Sequence, residues 1–218
     1  MKRQILEFLG TFFVVLSASL TENPLAIGFV YLAMLYIGWR ISGGHFNPGV
    51  TLALWLRGEF ATHRIWSYWI AQLLGAFAAL IFEFKLSGSL FIPDVTSTEQ
   101  LFFIAGLELL FSFALCYVYL AVRTVPSLRD THLYGLILGF TLIGLTSMGG
   151  LINAAIALSS LILNMLYHGE IEIHVFNNIM VYVVSPFVGA IAAGLSFDYL
   201  EAPARGEFLA VESAAERK

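Results

Sequence analysis

The chain has 218 residues, of which 59% are hydrophobic and 12% charged, and its net charge is −4. A soluble domain carries about twice that charged fraction, so an ordinary water-soluble enzyme is excluded, and the weak negative charge gives no footing for nucleic acid. The single cysteine, Cys116, excludes an intrachain disulfide.

Taken in chain order, the apolar residues fall in long uninterrupted runs, as expected of helices whose solvent is lipid. The first run covers roughly 5–21 and contains Glu7. Its basic start and the small residues at 17–19 also resemble a cleaved leader, but an internal counterpart, described below, and the buried-looking Glu7 favour a retained span. The second run covers roughly 25–40. It is broken by "SGGHFNPGV" at 42–50, after which the chain is apolar again only to about residue 56. Further runs lie at roughly 64–84, 100–122, 133–148 and 177–199, with another short stretch at 154–166. A membrane span needs about 20 residues, which predicts six spanning helices at the long runs and half-spans at 48–56 and 154–166.

Three blocks recur in the same order. "LEFLGTFF" at 6–13 matches "LELLFSFA" at 107–114, placing Glu7 over Glu108. "GGHFNPGV" at 43–50 matches "GGLINAAI" at 149–156, placing Asn47 over Asn153. "YWIAQLLGAFAAL" at 68–80 matches "YVVSPFVGAIAAG" at 182–194, placing Gly75 over Gly189. The chain is therefore expected to be a single domain over 1–218, with one repeat at about 4–84, a linker at about 85–100, a second repeat at about 101–200 and a solvated tail at 201–218. Three spans per repeat is an odd number, so the second copy must lie inverted in the bilayer, as in many transport proteins. With the N-terminus inside, ten of the eleven Lys and Arg residues fall on that side and only Lys85 falls outside, as the positive-inside rule requires.

Non-helical backbone at membrane depth is tolerated only where it is buried in protein or lines a watery cavity. The segments at Gly43, Gly44 and His45 and at Gly149, Gly150 and Leu151 are accordingly read as extended stretches that turn carbonyls toward a passage. Asn47 and Asn153 fit the N-cap of two half-helices that begin at Pro48–Gly49 and Ala154–Ala155. Their N-termini would meet at the midplane and place partial positive charge there. Glu7 and Glu108 are read as acceptors that hold the loop N–H groups, with proton relay as the competing role for an intramembrane acid. His45 is read as bonding the loop, Gln72 as bonding neighbouring backbone, and the glycines and alanines at 75–79 and 189–193 as packing faces. His168 and His174, near Glu170 and Glu172, are read as an exposed polar loop, so no metal site is assigned. No cofactor is implied.

These residues carry a resemblance. "SGGHFNPGVT" is similar to the first signature loop of the aquaporin, or major intrinsic protein, family, and the likeness extends over about residues 4–200 through "EFLGTFF", "ELLFSF" and "PFVGAIAAG". It implies an all-α membrane protein with six transmembrane helices, two re-entrant half-helices and an inverted 3+3 repeat. It also implies a passive channel, one pore per subunit of a homotetramer, in which width, lining donors and electrostatic barriers select the permeant. The family pattern is Asn-Pro-Ala in both loops; here it is Asn47-Pro48-Gly49 and Asn153-Ala154-Ala155. The family usually places an arginine directly after the second motif, where this chain has Ile156. The other filter positions fall on Ile27, Gly150 and either Thr141 or Leu142. Such a filter is apolar and uncharged and points to water together with glycerol, urea, ammonia or hydrogen peroxide. The competing readings are a non-conducting structural member, closed by bulky residues, and a secondary transporter, which would need a coupling-ion site. The resemblance and the charge asymmetry together place the chain as a multi-pass protein with cytoplasmic termini, with a microbial inner membrane as the host.

Overall fold

A computed structural model describes residues 1–21, 23–91, 93, 95, 97–129, 131–168, 175–197 and 199–200. The loop acids Glu170 and Glu172, His174 and the tail at 201–218 lie outside the described residues, as does the side chain of His168. The described residues form helices joined by loops. They are α1 (Lys2–Leu20), α2 (Pro24–Gly38), α3 (Pro48–Leu56), α4 (Ile65–Ser87), α5 (Thr98–Thr124), the short α6 (Pro126–Arg129), α7 (Tyr134–Ser147), α8 (Ala154–His168) and α9 (Val175–Ile179). α9 continues through a π segment, Met180–Val184, into helix at 185–197. At its end the Ser185 N–H and hydroxyl both donate to the Met180 carbonyl, the hydroxyl at 2.9 Å.

Among the described residues four helices are long and apolar enough to cross a membrane: Lys2–Leu20, Thr62–Ser87, Gln100–Thr124 and Phe176–Phe197. α2 and α7, with 15 and 14 residues, are shorter than the 20 expected of the second and fifth spans. Both end where the chain turns back into a re-entrant loop. The Gly38 carbonyl at the end of α2 accepts from the N–H groups of Ile41, Ser42 and Gly43. The Leu145 carbonyl at the end of α7 accepts from those of Met148 and Gly150. The helical count stops there because the polypeptide completes its depth as loop.

The inverted duplication is visible in how the helices touch. α1 packs along α4, and α5 packs on the π segment that leads into the last helix. Gly75 of α4 lies against the backbone of α1, where an added Cβ would overlap the Phe8 carbonyl oxygen and come within 3.2 Å of Phe12 N. Gly189 repeats this contact against α5, overlapping the Leu109 carbonyl and coming within 2.9 Å of Phe113 N. Phe8 and Leu109 follow Glu7 and Glu108, so the two halves share one packing geometry at matched positions. Backbone atoms inside a helix cannot step aside as a flexible side chain can. Gly75→Val and Gly189→Val are therefore expected to abolish the monodisperse peak in detergent size-exclusion chromatography. Gly144→Ala, which meets nothing within 4 Å, serves as the tolerated control. A normal profile for Gly75→Val would refute the close approach.

The remaining packing places the two loops at the centre. α3 contacts α4, α5 and α8, and α8 contacts α4 and the π segment. The core holds Val50, Ala53 and Leu54 of α3 with Tyr119 and Leu120 of α5 and Leu138 of α7. The outward helix faces carry exposed large apolar residues such as Phe13, Phe29, Trp66, Phe102 and Phe140, the surface expected of a protein solvated by lipid.

Candidate functional site: two loops meeting at paired asparagines

Each re-entrant loop reaches its half-helix through the same unusual backbone. Gly43, Gly44 and Phe46 have φ of 100°, 73° and 50°, and Gly149 and Ile152 have φ of 91° and 61°. Glycine enters this left-handed region freely, but Phe46 and a β-branched Ile152 do not, and each is held there against roughly 1–3 kcal/mol of strain. Both stand immediately before an asparagine.

The carboxyls of Glu7 and Glu108 grip these strained turns. Glu7 Oε1 accepts from His45 N at 3.0 Å and Oε2 from Phe46 N at 2.8 Å. Glu108 Oε1 accepts from Leu151 N at 2.6 Å and Oε2 from Ile152 N at 2.8 Å. Both carboxyls are buried, at 0% and 1% exposure, so each saturates loop donors that could not reach water.

The first loop has an additional brace. Gln72 Nε2 donates to Glu7 Oε2 at 2.8 Å and to Thr51 Oγ1 at 3.0 Å. Gln72 thus joins side chains on α1 and α3 and does not bond neighbouring backbone, which corrects the expectation for it. The Thr51 hydroxyl donates to the Asn47 carbonyl at 3.2 Å and pairs with His45 Nδ1 at 3.0 Å. Thr51 ends the signature stretch "SGGHFNPGVT" and Gln72 belongs to an Ala-Gln pair that shares the family likeness, but neither signal names a partner. Their role depends on contacts across 21 and 65 residues.

The two half-helix tips are tied to each other. Asn47 caps α3, its Oδ1 accepting from Gly49 N at 2.8 Å. Its Nδ2 crosses to the Ile152 carbonyl at 2.9 Å. Asn153 mirrors it: Oδ1 accepts from Ala155 N at 3.1 Å and Nδ2 donates to the Phe46 carbonyl at 2.9 Å. Pro48 opens α3 and Ala154 opens α8, so both short helices direct their N-terminal dipoles at this junction. Each carboxamide NH2 has two hydrogens, and the crossed bond uses one. The strained residues supply the carbonyls that receive the crossed bonds, a function the sequence does not signal.

A cavity of about 390 Å³ opens beside the pair. Asn47 and Asn153 line it, along with Ile27, Leu142, Gly150 and Ile156. Of the two candidates on α7, Leu142 lines the cavity, while the Thr141 hydroxyl turns back to the Ile137 carbonyl at 2.8 Å. Gly149, Gly150 and Leu151 of the second loop also line it. Gly43, Gly44 and His45 of the first loop are not among the residues that line this cavity. Ser42, Gly43, Gly44 and His45 are all buried. The Ser42 carbonyl accepts from the Tyr68 hydroxyl at 2.7 Å, and the Gly43 carbonyl accepts from the Tyr119 hydroxyl. Among the described residues no group of three His, Cys, Asp or Glu is placed to hold a metal ion.

Two half-helices capped by asparagines thus cross-bond beside a cavity, on an inverted helical duplication. Residues 1–197 match the family model Major intrinsic protein. The chain belongs to this family. Aquaporin AqpM of Methanothermobacter marburgensis is 30% identical, over 91% of this chain and 97% of that protein. Aquaporin TIP2-1 of Arabidopsis thaliana is 32% identical, over 78% of this chain and 68% of that protein. In structure, the aquaglyceroporin from Plasmodium falciparum superposes with a TM-score of 0.79 at 24% identity, covering 93% of this chain and 97% of that one. This major intrinsic protein is an integral, multi-pass channel for water or small solutes, not an enzyme, and its fold is the aquaporin fold.

Proposed function

We propose that this family member is a passive pore for small uncharged solutes, including glycerol, urea, ammonia and hydrogen peroxide as well as water, with less preference for water than is usual in the family. The observation that carries the reading is the character of the four cavity residues that fall on the family's filter positions. Ile27, Leu142, Gly150 and Ile156 line one space, and none bears a charge or a side-chain donor. The position after the second asparagine motif, where the family's arginine would stand, is Ile156, buried among Val15, Ala76 and Ala79. The four side chains give water no hydrogen bonds, so only nearby backbone and Thr146 can replace those it leaves behind. A solute with a hydrocarbon face loses less there.

Beyond the ring, Asn47 and Asn153 serve the permeant as donors through their free N–H groups, and the carbonyls of the second loop serve as acceptors. Pro48, Gly49, Ala154 and Ala155 start the two half-helices, whose positive ends raise the energy of any cation at the centre. Glu7 and Glu108 act as scaffold for the loops. The protein operates as a homotetramer in a microbial inner membrane, with both termini cytoplasmic, an orientation supported by the distribution of Lys and Arg.

Stopped-flow light scattering on proteoliposomes tests the reading. Glycerol and urea should equilibrate through the protein at rates within about tenfold of water, a difference of roughly 1.4 kcal/mol in barrier. Fast water flux with glycerol and urea held at the protein-free rate would sink it.

A further inference from the structure

We propose that Tyr119, together with Tyr31, forms a second constriction on the first-loop side of the asparagine pair, and that this constriction, more than the apolar outer ring, limits the rate of passage. The inference rests on the pore reading above and concerns the other half of the same conduit.

Tyr31 of α2, Phe46 of the first loop and Leu115 of α5 line the cavity. The Tyr31 and Phe46 rings meet edge to face, with centroids 6.4 Å apart and planes at 80°. One turn beyond Leu115 on α5 stands Tyr119, which is 1% exposed. Its hydroxyl donates to the Gly43 carbonyl, and Trp39 packs on its ring at 5.5 Å between centroids. A permeant continuing from the asparagines along the first loop meets that carbonyl with one of its two acceptor positions already taken by Tyr119 and the phenol beside it. Tyr68 occupies the preceding acceptor, the Ser42 carbonyl.

The second observation is a side chain left without a partner. Tyr31 is 3% exposed and its hydroxyl is buried with no hydrogen-bond partner. A buried orphan hydroxyl is destabilising, and in this narrowed arrangement it stays orphaned. An arrangement in which Tyr119 swings off Gly43 and admits water relieves it. The two tyrosines thus pull in opposite directions. The Tyr119 hydroxyl stabilises the narrow form through its bond to Gly43, and the Tyr31 hydroxyl penalises that same form.

Opposed effects of two equally conservative exchanges follow. Unit permeability is measured by stopped-flow on proteoliposomes with water and with glycerol, normalised to reconstituted protein, and the unfolding temperature is recorded in detergent. Tyr119→Phe is expected to raise permeability about fivefold, the population shift that one net hydrogen bond is worth. Tyr119→Leu, which also removes the ring's bulk, is expected to raise it further. Tyr31→Phe is expected to lower permeability by about fivefold or more while raising the unfolding temperature, because it removes the orphan from the narrow form. A purely structural role for either tyrosine would lower the unfolding temperature without this opposition. If the parent conducts and both Tyr→Phe variants match it, or both shift it in one direction, the constriction is refuted and the pore reading stands. If neither the parent nor Tyr119→Leu conducts any solute, both fall.

Discussion

Glu7→Ala is expected to lower the unfolding temperature of the detergent-solubilised protein by about 10 °C or more, the equivalent of several kcal/mol for a chain of this size. Three donors converge on this carboxyl: His45 N, Phe46 N and Gln72 Nε2. Removing it leaves all three without that acceptor in a site that is 0% exposed. A buried donor without a partner costs about 1–3 kcal/mol, and the strain at Phe46 is then no longer held in place. Glu108→Ala removes the acceptor of only two donors, Leu151 N and Ile152 N, and should be milder. Glu7→Gln should lie between the parent and Glu7→Ala, since the amide keeps one acceptor oxygen but turns an NH2 toward a donor. Differential scanning fluorimetry orders the three variants. A Glu7→Ala transition within about 2 °C of the parent, less than roughly 1 kcal/mol, would mean the loop is held by something else.

Ile156→Arg is expected to change what passes, with water retained and glycerol flux reduced by about tenfold or more, roughly 1.4 kcal/mol of added barrier. Ile156 lies in the first turn of α8, its N–H bonded to the Asn153 carbonyl at 3.0 Å. It lines the cavity with Gly149, Gly150, Thr146 and Tyr182. A guanidinium placed there has loop carbonyls and a threonine hydroxyl within the same space to receive its five donors. It also fills part of the room that a carbon backbone solute requires. The new donors hold water in line, and the fixed charge adds to the repulsion of cations that the helix ends already exert. Paired water and glycerol measurements on the same proteoliposomes decide the point. An unchanged glycerol-to-water ratio would show that selection happens elsewhere, and the Tyr119 constriction would then become the place to look.

The periodic and compositional features of this chain were legible without coordinates because they are local or repeated. Helix positions follow from runs of apolar residues. The asparagine caps follow from the turn chemistry of "HFNPG" and its weaker copy "LINAA". The pairing of Glu7 with one loop and Glu108 with the other was foreseen because the duplication placed each acid in the matching block of its repeat, ahead of its loop. What was missed had no such marker. Gln72 meets Glu7 across 65 residues, and Tyr119 meets Gly43 across 76. Neither side chain has a counterpart in the other half, so symmetry offered no hint. The choice between Thr141 and Leu142 turned on the rotation of α7 about its own axis, which a uniformly apolar helix does not encode.

Amino-acid order alone determined that this is a lipid-embedded helical duplication with two interrupted half-spans, since hydropathy, charge asymmetry and repeat spacing are properties of the chain read linearly. Only the folded arrangement decided which loop residues line the cavity and that the Ser42 and Gly43 carbonyls accept from tyrosines. A carbonyl's direction depends on φ values set by Glu7 and Glu108, and its availability depends on helices packed against it from distant parts of the chain.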